Sequence, residues 1–228
     1  MNDHRRHSAE KRSHAVGMGT ARDETRAAPR LYLVTPPVAD PDAVANDLAD
    51  ALNATDIAAV LLRLADGDES AQLDRIKALR ILIQSNGAAL LLDGHAELAA
   101  RGETDGAHLT GIDAFLAVAP SLKPARIAGC GGLNSRHDAM LAGESGADYV
   151  MFGEPDAGGR RPSFDAVLER VVWWAETLTI PCVAYAASLD EAETLAGAGA
   201  DFIAVGENIW RDARAVATAA SLGTESVR

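Results

Sequence analysis

Residues 88–113 read AALLLDGHAELAARGETDGAHLTGID, and the way this stretch is punctuated decides the reading of the whole chain. The apolar run Ala88–Leu92 is too short for a core helix and stops at an acid, Asp93. A short Ala/Leu-rich stretch with helical spacing follows, and a second apolar run, Gly106–Leu109, leads to Asp113. The order is strand, helix, strand, acid. A strand covered by helices on both faces shows an uninterrupted apolar run rather than alternation, so the pattern predicts parallel strands. Ligands of parallel α/β folds bind at the carboxyl ends of such strands. Two acids there suit one hard cation, Mg2+, shared with a diphosphate, and when empty they would face one another and repel. Both acids also stand close to helix starts, where Asp is a favoured N-cap, and capping is the competing role.

The same grammar recurs along the chain. Strands are predicted at Leu31–Thr35, Ile57–Arg63, Ala88–Asp93, Gly106–Leu109, Arg126–Gly129, Tyr149–Phe152, Cys182–Tyr185 and Phe202–Val205. Between them lie apolar residues at helical spacing, such as Val44, Leu48, Ala51 and Leu52, or Leu73, Ile76, Leu79 and Ile83 before Gly87. Later helices are expected at Asp138–Ser145, Phe164–Leu178, Leu189–Ala198 and Ile209–Ala220. Eight strand-then-helix units in about 200 residues match the α/β class and a single-domain (β/α)8 TIM barrel. ESGADYVMFG at 144–153 and GAGADFIAVG at 197–206 are near repeats, as a barrel of repeated units would give. The expected layout is a disordered leader over 1–29, the barrel over 30–222 and a tail over 223–228.

Composition narrows the partners. The net charge is −12, with residues 1–30 carrying seven Lys or Arg against four Asp or Glu, so the remainder carries −15. A pI of 4.9 argues against a nucleic-acid or anionic-membrane footprint. No run of apolar residues is long enough to span a bilayer. Cys130 and Cys182 do not make a disulfide framework, and they read as reduced structural thiols of a cytoplasmic protein. Trp173 and Trp174 are adjacent on one helix, so one is expected to pack on the barrel and the other to face outward.

The predicted strand ends form a polar ring: Thr35, Arg63, Asp93, His108 with Asp113, the turn Gly129–Gly132, Gly153–Glu154, Tyr185 and Gly206–Glu207. His108 beside Leu109 reads as a hydrogen-bonded structural histidine.

The segments LYLVT (31–35), LLRLADGDES (61–70), LLLDG (90–94), DGAHLTGID (105–113), IAGCGG (127–132), GADYVMFG (146–153) and IPCVAYAAS (180–188) together resemble the thiamine-phosphate synthase family in order and spacing. The resemblance implies a barrel that joins a pyrimidine diphosphate to a thiazole phosphate and releases diphosphate with Mg2+ bound. It implies metal ligation by Asp93 and Asp113, and contact with phosphorylated small-molecule substrates through Arg63, Arg161, Gly131, Ala186, Ala187 and Gly206. It leaves room for a homo-oligomer.

The chain is a divergent member on this reading. The family's Gln-Leu-Arg-x-Lys is Leu61–Ala65 here, keeping only the arginine. Its Asn before the metal-binding Asp is Leu92, a strand-end Ser is Gly131, a Thr-rich loop ending in Lys is Ala157–Arg161, and a Gly-Gly is Ala186–Ala187. Leu133 stands where thiazole tautomerase relatives carry His, which argues against that activity. Two functions follow: a synthase of thiamine biosynthesis, or a catalytically degenerate paralogue that binds a phosphorylated or thiazole-like molecule or a partner protein.

Overall fold

Each of the eight apolar runs is a strand in the computed structural model, which describes residues 27–222. They are β1 Arg30–Val34, β2 Ile57–Leu62, β3 Ala89–Asp93, β4 Gly106–Thr110, β5 Ile127–Gly131, β6 Tyr149–Phe152, β7 Cys182–Ala186 and β8 Phe202–Val205. Every neighbouring pair is parallel, and β1 also pairs with β8 through Leu31↔Ile203 and Leu33↔Val205, so the sheet closes into a barrel. The leader and tail expectations fall largely on residues 1–26 and 223–228, which lie outside the described residues.

Crossover helices make the parallel pairing possible: α1 Asp42–Ala54, α2 Glu69–Ser85, α3 Ala96–Ala99, α4 Ile112–Leu122, α5 Arg136–Glu144, α6 Phe164–Thr177, α7 Leu189–Gly197, α8 Glu207–Trp210 and α9 Ala213–Ser221. Side chains alternate in and out along each strand. Leu33, Val60, Leu62, Leu90 and Leu92 join the layer between sheet and helices, while Tyr32, Val34, Leu61, Leu91, Tyr149 and Met151 form a second cluster inside the barrel. The interior is therefore packed, with the two tyrosine hydroxyls of Tyr32 and Tyr149 hydrogen-bonded at 2.8 Å. Trp174 is buried and donates its indole N–H to Ile180 O, while the partly exposed Trp173 carries the Arg136 guanidinium over its ring. Cys130 and Cys182 are both buried. Among the described residues no helix is long and apolar enough to cross a membrane.

Two local expectations change. The single helix expected over Ile209–Ala220 breaks into α8 and α9, because Asp212 accepts from Arg214 N and thereby starts a new helix. Neither Asp93 nor Asp113 is an N-cap. α3 is preceded by His95 in the left-handed region, and α4 by Gly111 with φ of 91°, with no side-chain cap at either. The capping hydroxyls after the later strands come instead from Ser135, Ser163 and Ser188, each accepting from a backbone N–H of the first turn.

Candidate functional site

Arg63 follows directly on β2, and its backbone N–H donates to the hydroxyl of buried Thr35 at 3.0 Å. That bond ties the arginine's position to the end of β1. Asp93 is the last residue of β3, the strand next to β2, and Arg63 Nε donates to Asp93 Oδ2 at 3.0 Å. Both side chains are about a quarter exposed, at 25% and 27%. Since one guanidinium N–H is spent on Asp93, the Nη groups of Arg63 have no protein hydrogen bond among the described residues. The expectation of two mutually repelling acids gives way to an ion pair: Asp93 is bound by Arg63, and Asp113 is exposed in the first turn of α4.

The pair opens on a cavity of about 620 Å3 at the strand ends, which His108 and Glu154 also line. His108 is buried on β4, and its Nδ1 lies 3.0 Å from the Tyr149 hydroxyl, so a chain of polar contacts runs Tyr32, Tyr149, His108 through the barrel interior. Burial lowers the His108 pKa to about 4, which leaves the imidazole neutral near pH 7. Its Nε2 is buried with no hydrogen-bond partner among the described residues. The same desolvation raises both tyrosine hydroxyls far above their ordinary range.

Glu154 follows β6 and accepts from the backbone N–H of Gly132. Desolvation holds its carboxyl above the ordinary range against the pull of that N–H, and the charge of Asp93 pushes the same way. Gly131, at the end of β5, sits between these groups: a Cβ there would collide with Glu154 Oε1 and with the His108 imidazole. A glycine is thus required by close approach rather than by its torsion angles. Sequence alone puts Glu154 and His108 in the polar ring, reads His108 as structural, and offers Glu154, with Arg160 and Arg161, only as a group that could rebuild the site where family residues are replaced. The juxtaposition of a strand-end glycine with an acid one strand further on was the available signal.

Arg161 stands on an adjoining cavity of about 290 Å3, for which Glu154 is part of the shared wall. Its Nε donates to Gly153 O at 2.8 Å, its Nη2 to Tyr185 O at 3.1 Å and to Glu191 Oε2 at 3.0 Å, and the guanidinium lies over the Tyr185 ring. Glu191 Oε2 also accepts from Ala187 N at 2.8 Å. Ala186 is buried at the end of β7, and Gly206 precedes α8 with the Tyr185 hydroxyl against it. Asp113, Ala186, Ala187 and Gly206 line neither of these two cavities. The structure thus sets Arg63 and Asp93 on one cavity, places Gly131 behind two of its lining residues, Glu154 and His108, sets Arg161 and Ala187 on Glu191, and leaves Asp113 at the surface.

As for a metal, no three His, Cys, Asp or Glu side chains among the described residues come together as a ligand set. Mg2+ is commonly held by one or two carboxylates completed by water and substrate phosphates, and a strand-end carboxylate such as Asp93 beside an arginine fits that kind of partial site.

The family model described as "Thiamine monophosphate synthase" matches residues 31–209. The thiamine-phosphate synthase of Rhodospirillum centenum is 44% identical over 184 residues, covering 79% of this chain and 89% of that protein. That of Hyphomonas neptunium is 36% identical over 189 residues, covering 79% and 86%. The thiamine phosphate pyrophosphorylase structure from Pyrococcus furiosus superposes with a TM-score of 0.73 at 24% identity, over 87% of this chain and 97% of that one, and so supports the fold. With a match running from the first strand to just past the last, at this level of identity, the chain belongs to the thiamine-phosphate synthase family.

Proposed function

We propose that this protein is a thiamine-phosphate synthase, joining a pyrimidine diphosphate to a thiazole phosphate with release of diphosphate. The observation that carries the reading is the Arg63–Asp93 pair at the adjoining ends of β2 and β3, opening on the 620 Å3 strand-end cavity, in a chain 44% identical to a relative of that name. In the reaction, the bond between the pyrimidine methylene carbon and the diphosphate oxygen breaks, its electron pair leaves with diphosphate, and the thiazole nitrogen supplies the pair for the new bond. Positive charge develops on the pyrimidine and negative charge on the leaving group. Arg63 meets the latter with its unengaged Nη donors, and because it is already oriented by Asp93 and Thr35 it needs little reorganisation to do so. Asp93, with Asp113, would hold Mg2+, which when bound offsets diphosphate charge. The apolar lining, including Leu61 and Met151, keeps water from the reactive methylene.

One observation favours a second reading, a ligand-binding paralogue without turnover. The carboxylate of Glu191 is held by Arg161 and by Ala187 N–H, where donors for a substrate phosphate are expected. Growth separates the two. Expressed in a bacterium that lacks its own thiamine-phosphate synthase, this chain should restore growth without added thiamine, and well-expressed protein that does not restore it would favour the paralogue.

A further inference from the structure

We propose that Glu154, from the space that Gly131 leaves open, reads the amino edge of the pyrimidine ring, with His108 Nε2 beside it. The inference rests on the synthase reading and names the residue that selects the ring.

Much of the large cavity is lined by apolar side chains, Val34, Leu61, Leu109 and Met151 among them, which suit the faces of a flat ring and distinguish nothing along its edge. Of the polar groups, Asp93 is held by Arg63, whose free Nη donors are assigned to diphosphate, Asp156 is held by Arg160 and the backbone N–H of Gly158, and Thr110 is exposed. Glu154 and His108 both crowd the point where a side chain at position 131 would begin. The His108 imidazole is fixed by Tyr149 on its Nδ1 side, and its other nitrogen is buried and unpartnered among the described residues, a cost that a ligand atom would relieve.

Glu154 is fixed as well, through Gly132 N–H, and its carboxyl forms part of the cavity wall. The pyrimidine of thiamine carries an amino group next to a ring nitrogen, so one edge offers a donor beside an acceptor. A carboxyl that keeps its proton offers an O–H beside a carbonyl oxygen, which is the complement. Desolvation of Glu154 favours that protonated form. A longer side chain at 131 would displace the carboxyl, which accounts for the glycine.

The test is calorimetric binding of the free aminopyrimidine alcohol and of its counterpart lacking the amino group, without diphosphate or thiazole. The parent should prefer the amino compound by at least about tenfold, because a site built to hydrogen-bond a group rejects the analogue without it. Glu154→Gln keeps a donor beside an acceptor and should keep the preference. Glu154→Leu should reduce the preference to about one. Gly131→Ala, with Glu154 intact, should do the same by pushing the carboxyl aside, so the outcome does not depend on one variant folding. A parent without preference, or a Glu154→Leu protein that keeps it, overturns the inference. If the parent also makes thiamine phosphate, that failure leaves the synthase reading standing. A Glu154-dependent preference in a protein that makes no thiamine phosphate upholds the inference and removes the synthase reading instead.

Discussion

Arg161 donates through Nη2 to Glu191 Oε2 at 3.0 Å, and the same carboxylate oxygen accepts from Ala187 N–H at 2.8 Å. A guanidinium and a backbone N–H converging on an anion form the donor set a phosphate uses. Glu191 therefore competes with any phosphate that reaches this end of β7. Glu191→Ala should tighten binding of inorganic phosphate by about tenfold, or 1.4 kcal/mol, read by calorimetry. It should also cost on the order of 1 kcal/mol in stability for the lost ion pair. Unchanged or weaker phosphate binding would mean that Glu191 is needed to hold Arg161 in place and is no competitor.

Asp93 is bound to Arg63, and this changes what its neutralisation should do. Two facing acids would gain from losing one charge, whereas a paired acid loses its partner. Asp93→Asn is expected to lower the stability of the ligand-free protein by about 1 kcal/mol or less, since both side chains are partly exposed. Mg2+ with diphosphate should raise the melting temperature of the parent by mass action, about 2–4 °C for each kcal/mol in a chain of this size. The variant should lose that rise. A variant that keeps the full rise would remove Asp93 from the metal site.

His108 should make the fold sensitive to acid. In the unfolded chain the imidazole takes a proton below about 6.5, and in the folded protein only near 4. Between those values the unfolded state holds more protons, so stability falls as pH drops from about 6.5 towards 4, by on the order of 3 kcal/mol at the lower end. The raised carboxyl of Glu154 acts oppositely, since there the folded state keeps the extra proton as pH rises above its ordinary range. The difference between the parent and His108→Gln isolates the histidine. Urea midpoints of the two, followed from pH 7 to pH 4.5, should diverge as pH falls, the parent losing more. Parallel curves would contradict a buried neutral imidazole.

The barrel was legible because burial on both faces writes itself into sequence as uninterrupted apolar runs, and all eight of them are strands within a residue or two at their ends. Arg63, Asp93 and Gly131 were legible as strand ends. What a strand end touches across the barrel was not, because register and side-chain direction between strands are tertiary facts. Spacing alone could not choose between capping and a site for Asp93 and Asp113. The left-handed His95 and Gly111 ahead of α3 and α4 settle it against capping. The sequence shows Gly131 at one strand end and Glu154, 23 positions on, at the next, but their close approach is set by β5 and β6 lying side by side. Glu191, hidden in the first turn of α7, gave no signal that it would reach Arg161.

Synthase chemistry at the Arg63 end of the barrel can be measured directly. Purified protein given the pyrimidine diphosphate, the thiazole phosphate and Mg2+ should form thiamine phosphate and diphosphate in equal amounts. Arg63→Gln should lower kcat/KM by about 10²–10³, the usual loss when one preorganised donor to developing charge is removed. No thiamine phosphate at saturating substrates, or a rate that Arg63→Gln leaves unchanged, would contradict it.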